Sequence, residues 1–198
     1  MFTQVVRSQI EEGLGVFQLA TAGQNTLEYI GAGKAMAERA IEVTEVSEAG
    51  SVNRLKVINH SERYVFFMEG DLLEGAKQNR VLNTSAFLAP HSTTIIPVSC
   101  VEAGRWHRTS ATFNAAPFVY PAFMRQMKAE QVTDNLHKRR AHMANQNEVW
   151  ESITLYSSTV ERSSPTADFI SLFGERQRGM DRHAAFIRSP HGSPCGVG

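Results

Sequence analysis

Residues 40–68 read AIEVTEVSEAGSVNRLKVINHSERYVFFM, and their period decides the fold class. Ala40 to Val46 is rich in β-branched residues and alternates along the chain. Glu48-Ala49-Gly50 then gives a turn signal. From Val52 to Asn59, Leu55 and Val57 alternate with Arg54 and Lys56. Asn59 to Arg63 is polar and reads as a hairpin loop, and Tyr64 to Met68 as a short buried strand. Working outward, Gly70-Asp71 marks a turn. Arg80–Ala89 and Thr93–Cys100 are two further strands joined by Pro90-His91-Ser92. Strands recurring every ~8–12 residues predict an antiparallel β-sandwich or barrel-like sheet over about 39–110. No helix-length segment separates them, which argues against parallel βαβ units.

Upstream, glycines punctuate the first 38 residues, with a candidate strand over Leu14–Ala20 and a helical turn within Tyr29–Glu38. Downstream, Pro117 and Pro121 bracket an apolar loop, Phe118-Val119-Tyr120. Ala122 to Ser158 reads as helical, broken near Asn145-Gln146-Asn147, with Phe123, Met127, Leu136, Met143, Trp150, Ile153 and Leu155 as its apolar positions. Ser164-Pro165-Thr166-Ala167-Asp168 is a helix start, with proline near the first turn. That helix carries Phe169, Ile170, Leu172 and Phe173 and ends at Gly174 or Gly179. The class is therefore α+β and β-rich, with helices over about 122–178. The expected organisation is one globular domain over 1–180 and a loose tail over 181–198.

Composition narrows the function. Lys+Arg and Asp+Glu both number 20, so no basic field draws a nucleic-acid backbone. The run Lys138-Arg139-Arg140 reads as a solvated helix face. Two cysteines, Cys100 and Cys195, make no disulfide framework and no zinc spacing. The opening MFTQVVRSQIEEGL lacks the pattern of a secretory signal. No apolar run reaches the ~18 residues of a membrane span. A cytoplasmic location away from membranes is the expectation. The seven histidines show no HxH or HExxH pattern, and His137 and His142 are five apart, so neither a metal nor another cofactor is expected.

Two stretches carry candidate chemistry. Lys77-Gln78-Asn79-Arg80 places four polar side chains between apolar strands: a point charge, two amides and a planar fork. They suit an anionic or carbonyl-rich ligand. The plainer reading is a solvated loop with one structural Arg80 paired to Glu69, Asp71 or Glu74. In the second stretch, Cys100 ends a strand near Glu102, and Arg105-Trp106 offers a ring for stacking. Cys100 reads more readily as a buried, inert thiol than as a nucleophile, and Trp106 more often as a plug at one end of a sandwich core than as a stacking surface.

The runs 39–46 and 50–59, then 70–83 (GDLLEGAKQNRVLN) and 96–106 (IPVSCVEAGRW), resemble the ARG-and-rhodanese-phosphatase-superfamily-associated protein domain family. The resemblance is good over about 27–106, and Asn147-Glu148-Val149-Trp150 is similar to the family's later helix. It implies a role near ADP-ribose or NAD-derived metabolites, through the gene neighbours that give the family its name. It implies no particular reaction. It puts Lys77, Gln78, Asn79, Arg80, Asn83, Cys100, Glu102, Arg105 and Trp106 on family motif positions. Family members usually continue past Gly196-Val197-Gly198, so the resemblance also implies a shortened C-terminus. Two classes of function follow. One is a domain binding, and in the enzymatic version hydrolysing, a small anionic nucleotide-like metabolite, with Glu102 as candidate general base. The other is a non-catalytic interaction module.

Overall fold

The computed structural model describes residues 3–11, 13–21, 27–139 and 141–174. They fall into two compact units. The first contains an antiparallel hairpin of β1 (Thr3–Glu11) and β2 (Leu14–Thr21), turned at Gly13 with φ +84°. The expected strand at 14–20 is therefore present, with a partner that the glycine-rich start did not signal. The expected tail over 181–198, with His183, His191 and Cys195, lies outside the described residues.

The second unit spans Tyr29–Gly174. It begins with β3 (Tyr29–Gly31) and α1 (Ala32–Ala37). β4 (Ile41–Glu45), β5 (Arg54–Asn59) and β6 (Tyr64–Phe67) follow the alternating stretch. β7 (Asp71–Gly75), β8 (Arg80–Leu82), β9 (Ala86–Leu88), β10 (Thr93–Cys100) and β11 (Phe113–Val119) complete the strands. Three helices close the unit: α2 (Ala122–Arg139), α3 (Gln146–Thr159) and α4 (Phe169–Gly174).

Six strands pair antiparallel in the order β11-β7-β8-β10-β5-β4, and the sheet curls into a half-barrel. A second sheet, β3-β6-β9, contains the one parallel pair among the described residues, β3 with β6. Its crossover runs through α1, β4 and β5, so the parallel connection needs no single long helix.

Two apolar cores explain the strands that alternation missed. The inner core fills the half-barrel with Val43, Leu55, Val57, Leu73, Leu82, Ile96 and Val98, under α1. The outer core joins Leu72, Val81 and Val101 to Tyr120, Met124, Val149, Ile153, Tyr156 and Phe169 of the helical half. β8 throughout, and β7 at Leu72 and Leu73, therefore bury both faces, and such strands lose the period-two signature. The expected single strand over 80–89 is two, β8 and β9, in different sheets. Of the expected loop Phe118-Val119-Tyr120, the first two residues end β11, an edge strand that also takes in Pro117, whose missing N–H is tolerated there.

The helices divide as expected, and Asn145 caps α3 by accepting from Asn147 N. The buried face of α2 differs from the expected one. Phe123, Met127 and Leu136 are exposed, whereas Met124, Lys128 and Val132 are buried. The cause is an ion pair: Lys128 Nζ donates to Glu69 Oε1 at 2.6 Å and to the Leu82 carbonyl at 2.5 Å. Arg125 Nε holds the other oxygen of Glu69 at 2.8 Å. A buried lysine on the inward stripe breaks the apolar pattern on which face assignment relies. No helix of the described residues is long and apolar enough to cross a membrane.

Candidate functional site

The loop from β7 to β8 turns on Gly75 (φ +130°) and Ala76 (φ +42°). A Cβ at Gly75 would lie 2.6 Å from Ser110 Oγ and 2.8 Å from the Thr112 carbonyl, so only glycine fits. This turn points the side chains of 77–80 in separate directions, and the sequence candidates fall into three groups.

The first is a closed knot of Asn79, Glu102 and Arg105. Glu102 accepts from Arg105 Nε (2.8 Å) and Nη2 (2.6 Å), from Asn79 N (3.1 Å) and from Thr166 Oγ1 (2.9 Å). Arg105 Nη1 donates to the Ala76 carbonyl at 2.6 Å and to Thr109 Oγ1 at 3.0 Å. Asn79 Nδ2 donates to Asp168 Oδ1 at 2.9 Å, and Asp168 caps α4 through Ile170 N and Ser171 N. Burial pushes the Glu102 carboxyl up, but the Arg105, Asn79 and Thr166 hydrogen bonds outweigh it and hold the group below its usual value. Four donors occupy the acceptor sites of this carboxylate. The general-base role open to Glu102 in the sequence does not fit this geometry.

The second group clips the helical half onto the sheet. Ser99 Oγ donates to Asn83 Oδ1 at 2.9 Å, and Asn83 Nδ2 donates to the His142 carbonyl at 3.3 Å. Gln146 accepts from Cys100 N and donates to the Cys100 carbonyl, both at 2.8 Å, as a neighbouring strand would.

The third group gathers at one end of the inner face of the half-barrel. Arg80 is 0% exposed and stands opposite Cys100 in the β8–β10 register. Its Nη1 donates to Gln78 Oε1 at 3.0 Å and also contacts Cys100 Sγ. Its Nη2 donates to the Ser51 carbonyl at 3.3 Å and lies 3.6 Å from Glu45 Oε1. Glu45, rather than Glu69, Asp71 or Glu74, is thus the partner of Arg80. Glu45 is 5% exposed, and neither of its oxygens meets a hydrogen-bond donor among the described residues. Arg80 Nε is likewise without an acceptor.

Trp106 covers this pair. The Arg80 guanidinium lies 5.7 Å and Lys77 Nζ 5.4 Å from its ring centroid, distances of cation–π contact. The indole remains 47% exposed. Lys77 Nζ also donates to the Ala49 carbonyl at 2.9 Å. Gly50 (φ +80°) completes the cover: a Cβ there would stand 3.2 Å from Lys77, 3.4 Å from Glu45 Oε2 and 3.4 Å from Trp106. Surface grooves among the described residues lie away from this cluster. One, about 500 Å³, follows the seam between β4 and β11 past Arg39, Glu42, His60 and Asn114, and another, about 550 Å³, lies along α3 at Trp150 and Leu155. Among the described residues no three His, Cys, Asp or Glu side chains gather to hold a metal ion.

Glu45 was missed in the sequence, yet it carries a signal. In β4, Ile41, Val43 and Glu45 share the inward face, so a glutamate stands at the third inward position of an apolar register. Cys100 is buried, and burial first, then Glu45 and Glu102, push its thiol up to about 11 against the opposing pull of Arg80. The thiol is protonated at neutral pH and is no activated nucleophile. Below pH 9.0 both folded and unfolded states hold its proton. Between 9.0 and about 11 only the unfolded state loses it, so this contribution to stability disappears as pH rises. The stability advantage of the protein over its Cys100→Ala variant is expected to shrink by about 2–3 kcal/mol between those pH values, read from urea unfolding. An unchanged difference would show that Cys100 ionises as freely folded as unfolded.

The fold and the cluster together define a β-rich half-barrel domain whose mouth holds buried, incompletely matched charge. The family model of the ARG and Rhodanese-Phosphatase-superfamily-associated Protein domain matches residues 3–198, and the chain belongs to that family. No curated protein and no solved structure matches it.

Proposed function

We propose that the domain binds a small anionic, nucleotide-like metabolite at the mouth of the half-barrel. Trp106 supplies the stacking surface, Lys77 the contact to the ligand's charge, and Arg80 a hydrogen bond deeper in. One observation carries the reading: two cations flank an exposed tryptophan over the buried Glu45–Arg80 pair, in which both Glu45 oxygens and Arg80 Nε have no hydrogen-bond partner among the described residues. Such atoms cost stability where they serve only the fold, and they concentrate where a ligand completes them. Barrel mouths are recurrent places for small ligands. The family's named association with ARG and rhodanese-phosphatase proteins supports a ligand of the ADP-ribose or NAD kind. The proposal is binding rather than hydrolysis, because Cys100 is protonated and Glu102 is saturated.

Isothermal titration with ADP-ribose, NAD and AMP tests this. Lys77→Ala and Trp106→Ala are expected to weaken binding about tenfold each, within the range of a lost base–aromatic stack. Their melting temperatures should stay near that of the parent, because both side chains reach the surface. If none of the three compounds binds folded protein, the interaction-module reading replaces this one. The aromatic face of Tyr29, Phe66 and the exposed Phe87 on the β3-β6-β9 sheet would then be the first place to look for a partner.

A further inference from the structure

We infer that Glu45 and Arg80 form an inner subsite that selects a neutral donor–acceptor edge, the chemistry shared by a primary carboxamide and an aminopurine. This rests on the metabolite-binding reading and adds which end of the ligand enters first.

Hydrogen-bond complementarity decides what this pair accepts. An ionised Glu45 carboxylate only accepts, and the Arg80 Nε–H only donates. Both sit behind Trp106, at 5% and 0% exposure, and neither the carboxylate oxygens nor Nε has a hydrogen-bond partner among the described residues. Their nearest approach is 3.6 Å, so each side chain also feels the other's charge. A carboxylate or phosphate placed there would face Glu45 with like charge, and an ammonium would face Arg80. In a site with little water such a mismatch is poorly screened. A neutral group with an N–H donor beside a lone-pair acceptor meets both requirements at once. Glu45 takes the donor, and Arg80 Nε gives to the acceptor. The negative charge of the ligand then stays at the mouth with Lys77, whose ammonium reaches the surface beside Ala49. Entry requires Trp106 to swing off Gly50. It stands on the irregular segment between Cys100 and Phe113, one residue beyond Arg105 of the knot, and its indole is 47% exposed.

Two ligand pairs isolate the edge while keeping the phosphate. Nicotinamide mononucleotide and nicotinic acid mononucleotide differ in carboxamide against carboxylate. AMP and purine riboside monophosphate differ in the amino group alone. Each is titrated into the Trp150→Phe protein, so that fluorescence reports Trp106 only, and again with Glu45→Gln added. The expected result is at least tenfold tighter binding of the amide or amino compound in one of the two pairs, which also tells which source of the edge is taken. With Glu45→Gln that preference should fall below threefold, because glutamine can donate as well as accept. Binding of both pairs without a threefold preference overturns the subsite and leaves the mouth site standing. A preference that survives Glu45→Gln removes Glu45 as the selecting group. Absence of saturable binding by all four compounds overturns the mouth site itself. If Glu45→Gln does not fold, the ratios in the parent protein decide.

Discussion

Glu102→Ala is expected to lower the unfolding free energy by about 3–5 kcal/mol, the range for removing one partner of a buried ion pair. The loss is large because Glu102 ends four donors at once. Without it, the nearly buried Arg105 guanidinium loses both carboxylate bonds, and Asn79 N and Thr166 Oγ1 lose their acceptor. The damage spreads to α4, because Asn79 also holds the capping residue Asp168. Urea denaturation at neutral pH measures the effect. A loss below about 1 kcal/mol would mean that water replaces Glu102 in the knot. The pH dependence carries the same information. The Glu102 carboxyl titrates below its ordinary 4.5 when folded, so its stabilisation is complete above that value and is lost as pH falls through the folded-state value. The curves of the parent and the variant should therefore converge in acid.

Arg80→Met comes next, at about 3–5 kcal/mol for the same physical reason. Methionine roughly fills the volume but leaves the Glu45 carboxylate buried with no cation beside it. The diagnostic experiment is the double variant. Adding Glu45→Leu removes the stranded charge and should restore stability to within about 1 kcal/mol of the parent, since an apolar pair often replaces a buried ion pair at little cost. If Arg80→Met alone changes stability by less than about 1 kcal/mol, Glu45 is hydrated, and the dry subsite proposed above fails with it. If the double variant is no better than the single one, the loss comes from the Gln78, Ser51 and Cys100 contacts of Arg80 rather than from Glu45.

Legibility in the sequence followed burial on one face. β4, β5, β6 and β10 are half-covered or end in polar residues, and their alternation could be read directly. β7 could not, because Leu72 and Leu73 point into different cores. The inward face of α2 was hidden by Lys128, a charge that is buried only because Glu69 comes from a distant turn. The candidate residues were nearly all near the mouth or its support, but their division of labour depends on tertiary partners. Asn79 and Arg80 are neighbours in sequence and serve opposite purposes, one closing the knot and one facing Glu45. No local pattern pairs Arg80 with a residue 35 positions earlier in place of the acidic residues beside it.

The same pairing has a consequence for how the chain finds its fold. Arg80 lies opposite Cys100, Ile96 opposite Leu55 and Leu55 opposite Glu45, so the cluster is assembled across three separate strand registers. A slip of one residue in β8 would turn Arg80 toward the outer core and bring Val81 beside the carboxylate. That misfolded sheet would hold two isolated charges in apolar surroundings, whereas purely apolar strands could exchange neighbours at small cost. The mouth of the half-barrel thus works during folding as a key that fits one alignment of the strands and rejects those on either side of it.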